Sequence, residues 1–76
     1  MPSKAVQDIG YAKAKSIALN HAGVSESKAY DRDVELDDED GKLVYEIEFK
    51  SGNMEYDYEI DARTGAVLKH EVELDD

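Results

Sequence analysis

Cysteine is absent from the chain. Disulfides and thiolate metal sites are therefore excluded. The absence is silent on compartment, because it suits a cytosolic protein and equally an exported one that avoids mispaired thiols. No apolar run approaches the length of a membrane span. The first ten residues, Met1 to Gly10, also lack the long apolar run of a signal peptide. An exported form is expected to take its targeting segment from outside these residues. Basic residues are scarce: nine Lys and Arg stand against nineteen Asp and Glu, for a net charge of −10. Such a balance repels nucleic acid and anionic membranes at long range. A basic partner, a cation or no partner remain, and the charge also serves solubility. It leaves the oligomeric state open. With 76 residues there is room for one domain and one modest core.

Alternation of apolar and polar residues is the strongest pattern present. Leu43, Tyr45, Ile47 and Phe49 take one side of a strand, against Val44, Glu46, Glu48 and Lys50. Met54, Tyr56, Tyr58 and Ile60 repeat this against Glu55, Asp57 and Glu59. Period two over such lengths specifies half-buried antiparallel strands. Strands are expected over Ala29–Asp37, Lys42–Lys50, Met54–Asp61 and Ala66–Leu74. The first sets Tyr30, Val34 and Leu36 in phase, with Arg32 snorkelling from a sheet edge. The last sets Leu68, His70, Val72 and Leu74 on one face. Ahead of them, Tyr11–Ala22 is alanine-rich and reads as the single helix, capped by Gly23 with Val24 beyond it. Its inward stripe is Ala14, Ile17, Ala18, His21 and Ala22, while Leu19 points away from the stripe. Residues 1–8 read as a flexible lead and 9–76 as one domain.

Face parity goes further and sets the register. A two-residue loop at Gly52-Asn53 places Phe49 opposite Tyr56, Ile47 opposite Tyr58 and Tyr45 opposite Ile60. A three-residue loop with Gly65 in the left-handed position pairs Ala62 with Ala66. Ile60 then faces Leu68, Tyr58 faces His70 and Tyr56 faces Val72. For the first hairpin, two- and four-residue loops around Asp40-Gly41 share the same parity, and both stay open.

The segments Ala14–Val24, Gly41–Lys50 and Tyr56–Gly65 together resemble the PepSY family: an opening helix, a second strand, and a third strand with its turn, in that order. The resemblance covers about residues 9 to 74. It implies an extracytoplasmic, non-catalytic module that inhibits or regulates peptidases. PepSY domains occur in propeptides of thermolysin-like metallopeptidases, in a spore-germination regulator and in small exported bacterial proteins. No peptidase lies within these residues, so a propeptide role in cis is not the expectation for them. One departure is visible at the helix start. It reads Ile9-Gly10-Tyr11 where the family carries a polar cap and an acidic first turn.

Candidate chemistry is sparse. No serine–histidine–acid order, phosphate loop or cysteine nucleophile is present, so no catalytic residue, cofactor or metal site is assigned. The turn Asp37-Asp38-Glu39-Asp40-Gly41 invites calcium. An EF-hand register on Gly41 would put Leu36 and Ile47 at the first and twelfth positions, where carboxylates are required, so that motif is excluded. Irregular cation binding stays open there, beside the plain role of Asp and Gly as turn residues. His21 and His70 meet if the helix crosses the fourth strand, but no local spacing supports zinc. The sharper feature is the outer sheet face. Glu46 faces Glu59, Glu48 faces Asp57, Asp57 faces Glu71, and Glu55 faces Glu73. Like charges directly opposite cost a few tenths of a kcal/mol each, roughly, and only Lys50 and Lys69 relieve them. Glu46, Glu48, Glu55, Asp57, Glu59, Glu71 and Glu73 form the candidate interaction face. A solvated, aggregation-resistant surface is the plainer account of the same residues.

The expected fold is α+β: one helix across one face of a four-stranded antiparallel meander. The expected function is an interaction module acting on a secreted peptidase or another protein, without nucleic-acid binding or membrane insertion. A cation-binding domain or a purely structural repeat of a larger cell-surface protein is the alternative.

Overall fold

The computed structural model describes residues 8–75. The expected lead over residues 1–8 lies outside them except for Asp8. Helix α1 spans Tyr11–Ala22, a short 3₁₀ turn Glu26–Lys28, and four strands follow: β1 Tyr30–Glu39, β2 Lys42–Ser51, β3 Met54–Asp61 and β4 Val67–Leu74. The strands form one antiparallel sheet in chain order. The fold is α+β, with α1 lying over β1, β2 and β3.

The helix begins without a side-chain cap and without acidic residues in its first turn. In their place, Asp8 accepts a hydrogen bond from the Gly10 amide, and the amide of Ile9 donates to the Ala62 carbonyl. Its end is a Schellman motif. Gly23 is left-handed, its amide donates to Asn20, and the Val24 amide donates to Leu19. This motif gives a place to Leu19, which lies off the inward stripe and is buried in the core. In a Schellman motif the residues at the Leu19 and Val24 positions are apolar partners, and both join the core here.

The core is the inner sheet face beneath the alanine face of α1. Ala14 and Ala18 are fully buried, and so are Tyr45, Ile47, Phe49, Tyr58 and Ile60. Alanine at the contact lets the helix backbone approach bulky aromatic residues closely. Ile47 sits directly opposite Tyr58, and Phe49 stacks on Tyr56 with ring centroids 4.9 Å apart. Among the described residues, no buried side-chain nitrogen or oxygen lacks a hydrogen-bond partner.

The β2–β3 register is as parity demands, with Ser51 and Met54 closing a two-residue loop. Of the two loop residues only Gly52 has positive φ, the pattern of a type II′ turn. The first hairpin resolves to two residues, Asp40 and Gly41, both with positive φ, as a type I′ turn requires.

Two bulges correct the remaining expectations. In β1 the register shifts between Tyr30 and Asp33, where Asp31 has a φ of 52°. Tyr30 therefore lies opposite Lys50, out of phase with Val34 and Leu36, and Ala29 takes the buried position. In β4 the shift falls between the Glu59–Lys69 and Ile60–Val67 pairs, leaving Leu68 as the extra residue. Ile60 thus faces Val67 instead of Leu68. The loop before it holds four residues instead of three, because the Asp61 amide bonds the Ala66 carbonyl. Gly65 is left-handed as expected, at a φ of 81°. The extra loop residue and the extra strand residue cancel, so the Tyr58–His70 and Tyr56–Val72 pairs form. Val44 keeps its expected outer face but is buried there, at 1% exposed, and lies outside the main core cluster. Asp37 and Asp61 flank it on the neighbouring strands, and the latter meets Lys42 at 3.8 Å.

Candidate functional site

The strands bring all seven acidic residues named above to one face, in the expected pairs. The structure adds the contribution of β1. Asp33, Glu48, Asp57 and Glu71 form a continuous row of carboxylates across all four strands. Glu35, Glu46, Glu59 and Lys69 form the next row. Asp33, Glu35 and Asp37 were absent from the candidate set, although the inward parity of Val34 and Leu36 already implied them. A shallow open groove lies on this face, lined by Glu46, Glu48, Asp57, Glu59, Lys69 and Glu71 among others.

Repulsion within the rows registers as proton affinity. Glu48 is held above the ordinary glutamate range, first by the facing Asp57, then by partial burial and by Asp33, Glu55 and Glu35. Glu46 is also raised, first by partial burial and then by its contacts with Glu39 and Asp37. At the end of the face Lys50 bridges to Asp75 at 3.2 Å and to Asp31 at 3.6 Å, and its ammonium is stabilised accordingly. The face thus carries stored like-charge repulsion that a basic partner or a cation would relieve.

Two groups of carboxylates converge closely enough to share a cation: Asp37, Glu39 and Glu46, and Glu48, Glu55 and Asp57, each with oxygens within 4.8 Å of one another. All-oxygen donors of this kind suit a hard ion such as calcium. Within the acidic turn, Asp38 is engaged as the acceptor of the Gly41 amide.

The two histidines do meet. His21 of α1 and His70 of β4 have ring centroids 4.7 Å apart, and His21 Nδ1 lies 2.9 Å from the Tyr58 hydroxyl. Among the described residues, no carboxylate joins them in a group of three ligands. The arrangement is a packed aromatic corner: His70 stacks on Tyr58, and Tyr58 stacks on Phe49. Burial raises the Tyr58 phenol above its ordinary value.

The class defined by this fold is a small α+β domain, a single helix over one face of a four-stranded antiparallel meander. The PepSY family model, described as the peptidase propeptide and YPEB domain, matches residues 8–71, and the chain belongs to that family. An uncharacterised protein of Streptococcus pyogenes is 53% identical over 57 residues, which are 75% of this chain and 44% of that protein. The chain therefore matches less than half the length of this relative. No solved structure matches. No helix among the described residues is long and apolar enough to cross a membrane.

Proposed function

We propose that this domain is a non-catalytic interaction module that regulates a peptidase by binding it, outside the cytoplasm. The observation that carries the reading is the PepSY match over residues 8–71, which spans the helix and most of the sheet. The acidic rows on the outer face support it, because they offer a basic surface of a partner the relief of their own repulsion. The direct experiment is inhibition and binding of secreted metallopeptidases by the purified domain across a salt series. Binding through the acidic face weakens as salt rises, because exposed charges are screened over about 8 Å at physiological ionic strength. Reversing Glu46, Glu48, Asp57 and Glu59 to lysine abolishes it. The absence of both inhibition and binding across a panel from the source organism would defeat the reading. In that case the two carboxylate groups favour a cation-binding or structural unit of a longer protein. Calorimetric titration with calcium then gives a stoichiometric signal.

A further inference from the structure

The two edges of the sheet are not equivalent. Edge β1 is blunted by the left-handed bulge at Asp31 and by the outward row Asp33, Glu35 and Asp37, while Arg32 is tied back to Glu26 at 3.2 Å. Edge β4 is regular from Lys69 to Leu74, and among the described residues no strand pairs with its outer side. It also borders the part of the inner face beyond the reach of α1, which touches it through the His21–His70 contact. Leu68, Val72 and Leu74 are respectively 43%, 48% and 58% exposed. They are half of the six large apolar side chains left exposed among the described residues.

Backbone direction on this edge follows from one hydrogen bond. The Asp75 amide donates to the Asn53 carbonyl, so Asp75 points its backbone groups toward β3. An antiparallel ladder alternates. Lys69, Glu71 and Glu73 therefore also bond β3, while the amides and carbonyls of His70, Val72 and Leu74 point outward. A strand laid against β4 would find donors and acceptors at the residues whose side chains form the uncovered apolar strip. On its other face it would meet Glu71 and Glu73, whose rows continue into Asp57 and Glu55.

We propose that β4 is a strand-addition site for an extended segment of another protein in which apolar and basic residues alternate. The apolar residues lie beside Val72 and Leu74, and the basic ones beside Glu71 and Glu73. Charge selects this occupant over a second copy of the chain, since self-association would set a net −10 against another −10. The inference rests on the interaction-module reading above and names the edge and the chemistry of the partner.

The probe is a labelled eight-residue peptide alternating valine and lysine, titrated against the domain by fluorescence anisotropy and amide hydrogen exchange. Saturable binding with slowed exchange at the His70, Val72 and Leu74 amides is expected. The same peptide with glutamate in place of lysine should not bind. Val72→Pro removes an outward amide that β3 does not use, and proline is tolerated on edge strands. It should weaken binding by roughly tenfold or more. Val72→Lys keeps every backbone donor and places a cation on the apolar strip, and it should weaken binding likewise. Undiminished affinity in both variants overturns the proposal. So does binding with no change at the three outward amides, the absence of peptide binding, or a dimer that Val72→Pro dissociates. Peptidase inhibition measured with both variants separates the two readings. Inhibition that survives both leaves the regulatory role standing and removes β4 from it.

Discussion

Replacing Gly65 by alanine tests the packing of the last hairpin against the helix. Gly65 has a φ of +81°, and a Cβ built there would lie 3.0 Å from Cδ1 of Ile17. The left-handed conformation costs an alanine about 1–2 kcal/mol. A more restricted unfolded chain returns about 0.4–1 kcal/mol of that. Comfortable carbon–carbon contact is about 3.5–4.0 Å, so the Ile17 methyl must retreat, at a further cost of about 0.5–1.5 kcal/mol if its rotamer is forced. The net is about 2 kcal/mol, or a fall in melting temperature of about 10 °C for a domain of this size. Gly41 supplies the control. Its φ is +83°, but nothing lies within 4 Å of its Cβ direction. Gly41→Ala should therefore cost only the backbone share, about 1 kcal/mol. Ile17→Val deletes the clashing methyl, and in that background the cost of Gly65→Ala should drop to that of Gly41→Ala. Urea denaturation followed by circular dichroism across the double-mutant cycle measures the difference. Equal costs for the two glycines in the wild-type background would refute the reasoning.

Ile47 is 1% exposed, so Ile47→Asp buries an unpaired charge and should abolish the cooperative thermal transition. Glu48→Lys, on the opposite face of the same strand, should raise the melting temperature, because Glu48 stands between Asp33 and Asp57. Stability should rise as pH falls from neutrality toward the ordinary glutamate value. Glu46 and Glu48 have raised folded-state proton affinity, so the folded state gains protons there before the unfolded chain does. Further acidification should reverse the gain. The Asp61 carboxylate accepts backbone hydrogen bonds from Arg63 and Thr64, which lower its pKa, and that stabilisation is lost as pH falls through its folded value. Melting curves in a pH series, read for a maximum on the acid side of neutrality, check both signs. Burial and a hydrogen bond to Asp8 push the Tyr45 phenol up to about 12, so ultraviolet titration should show a tyrosine component that ionises only in strong alkali, and Tyr45→Phe should remove it.

Strand faces and most cross-strand pairs were legible in the sequence because period two carries its own check. A slip of one residue in the β2–β3 pairing would have put Glu48 opposite Tyr56 and broken both faces. The seven-carboxylate face follows from that parity alone. The bulges were not legible. An extra residue in β1 or β4 leaves the composition of the strand unchanged, and its only trace is a phase break. Asp31, with positive φ and no glycine to announce it, is the plainest case. In β4 the four-residue loop and the unpaired Leu68 compensate each other, so a shorter loop without a bulge reached the same Tyr58–His70 pair. The helical stripe alone leaves Leu19 without a place, because its burial depends on how the helix ends. The left-handed Gly23 turns the chain so that Val24 and Leu19 come in together. Val44 takes the face that alternation assigns, but alternation carries no information on exposure, so its burial there was not legible.

The alanine face of α1 bears on how the chain comes off the ribosome. The helix lies ahead of every strand it packs on, so synthesis presents it well before β2 and β3 exist to receive it. An ordinary amphipathic helix would wait with leucines and phenylalanines bare, the kind of surface that invites misassociation. Here the two innermost residues, Ala14 and Ala18, expose little until the sheet arrives. Most of the bulky core side chains reside in hairpins whose two-residue loops allow them to pair as soon as they emerge. Leu19 and Ile17 are the helix's own large aliphatic residues, but most of the core's bulk arrives later, in β2 and β3, so the early helix exposes less apolar surface than one built on leucine and phenylalanine throughout.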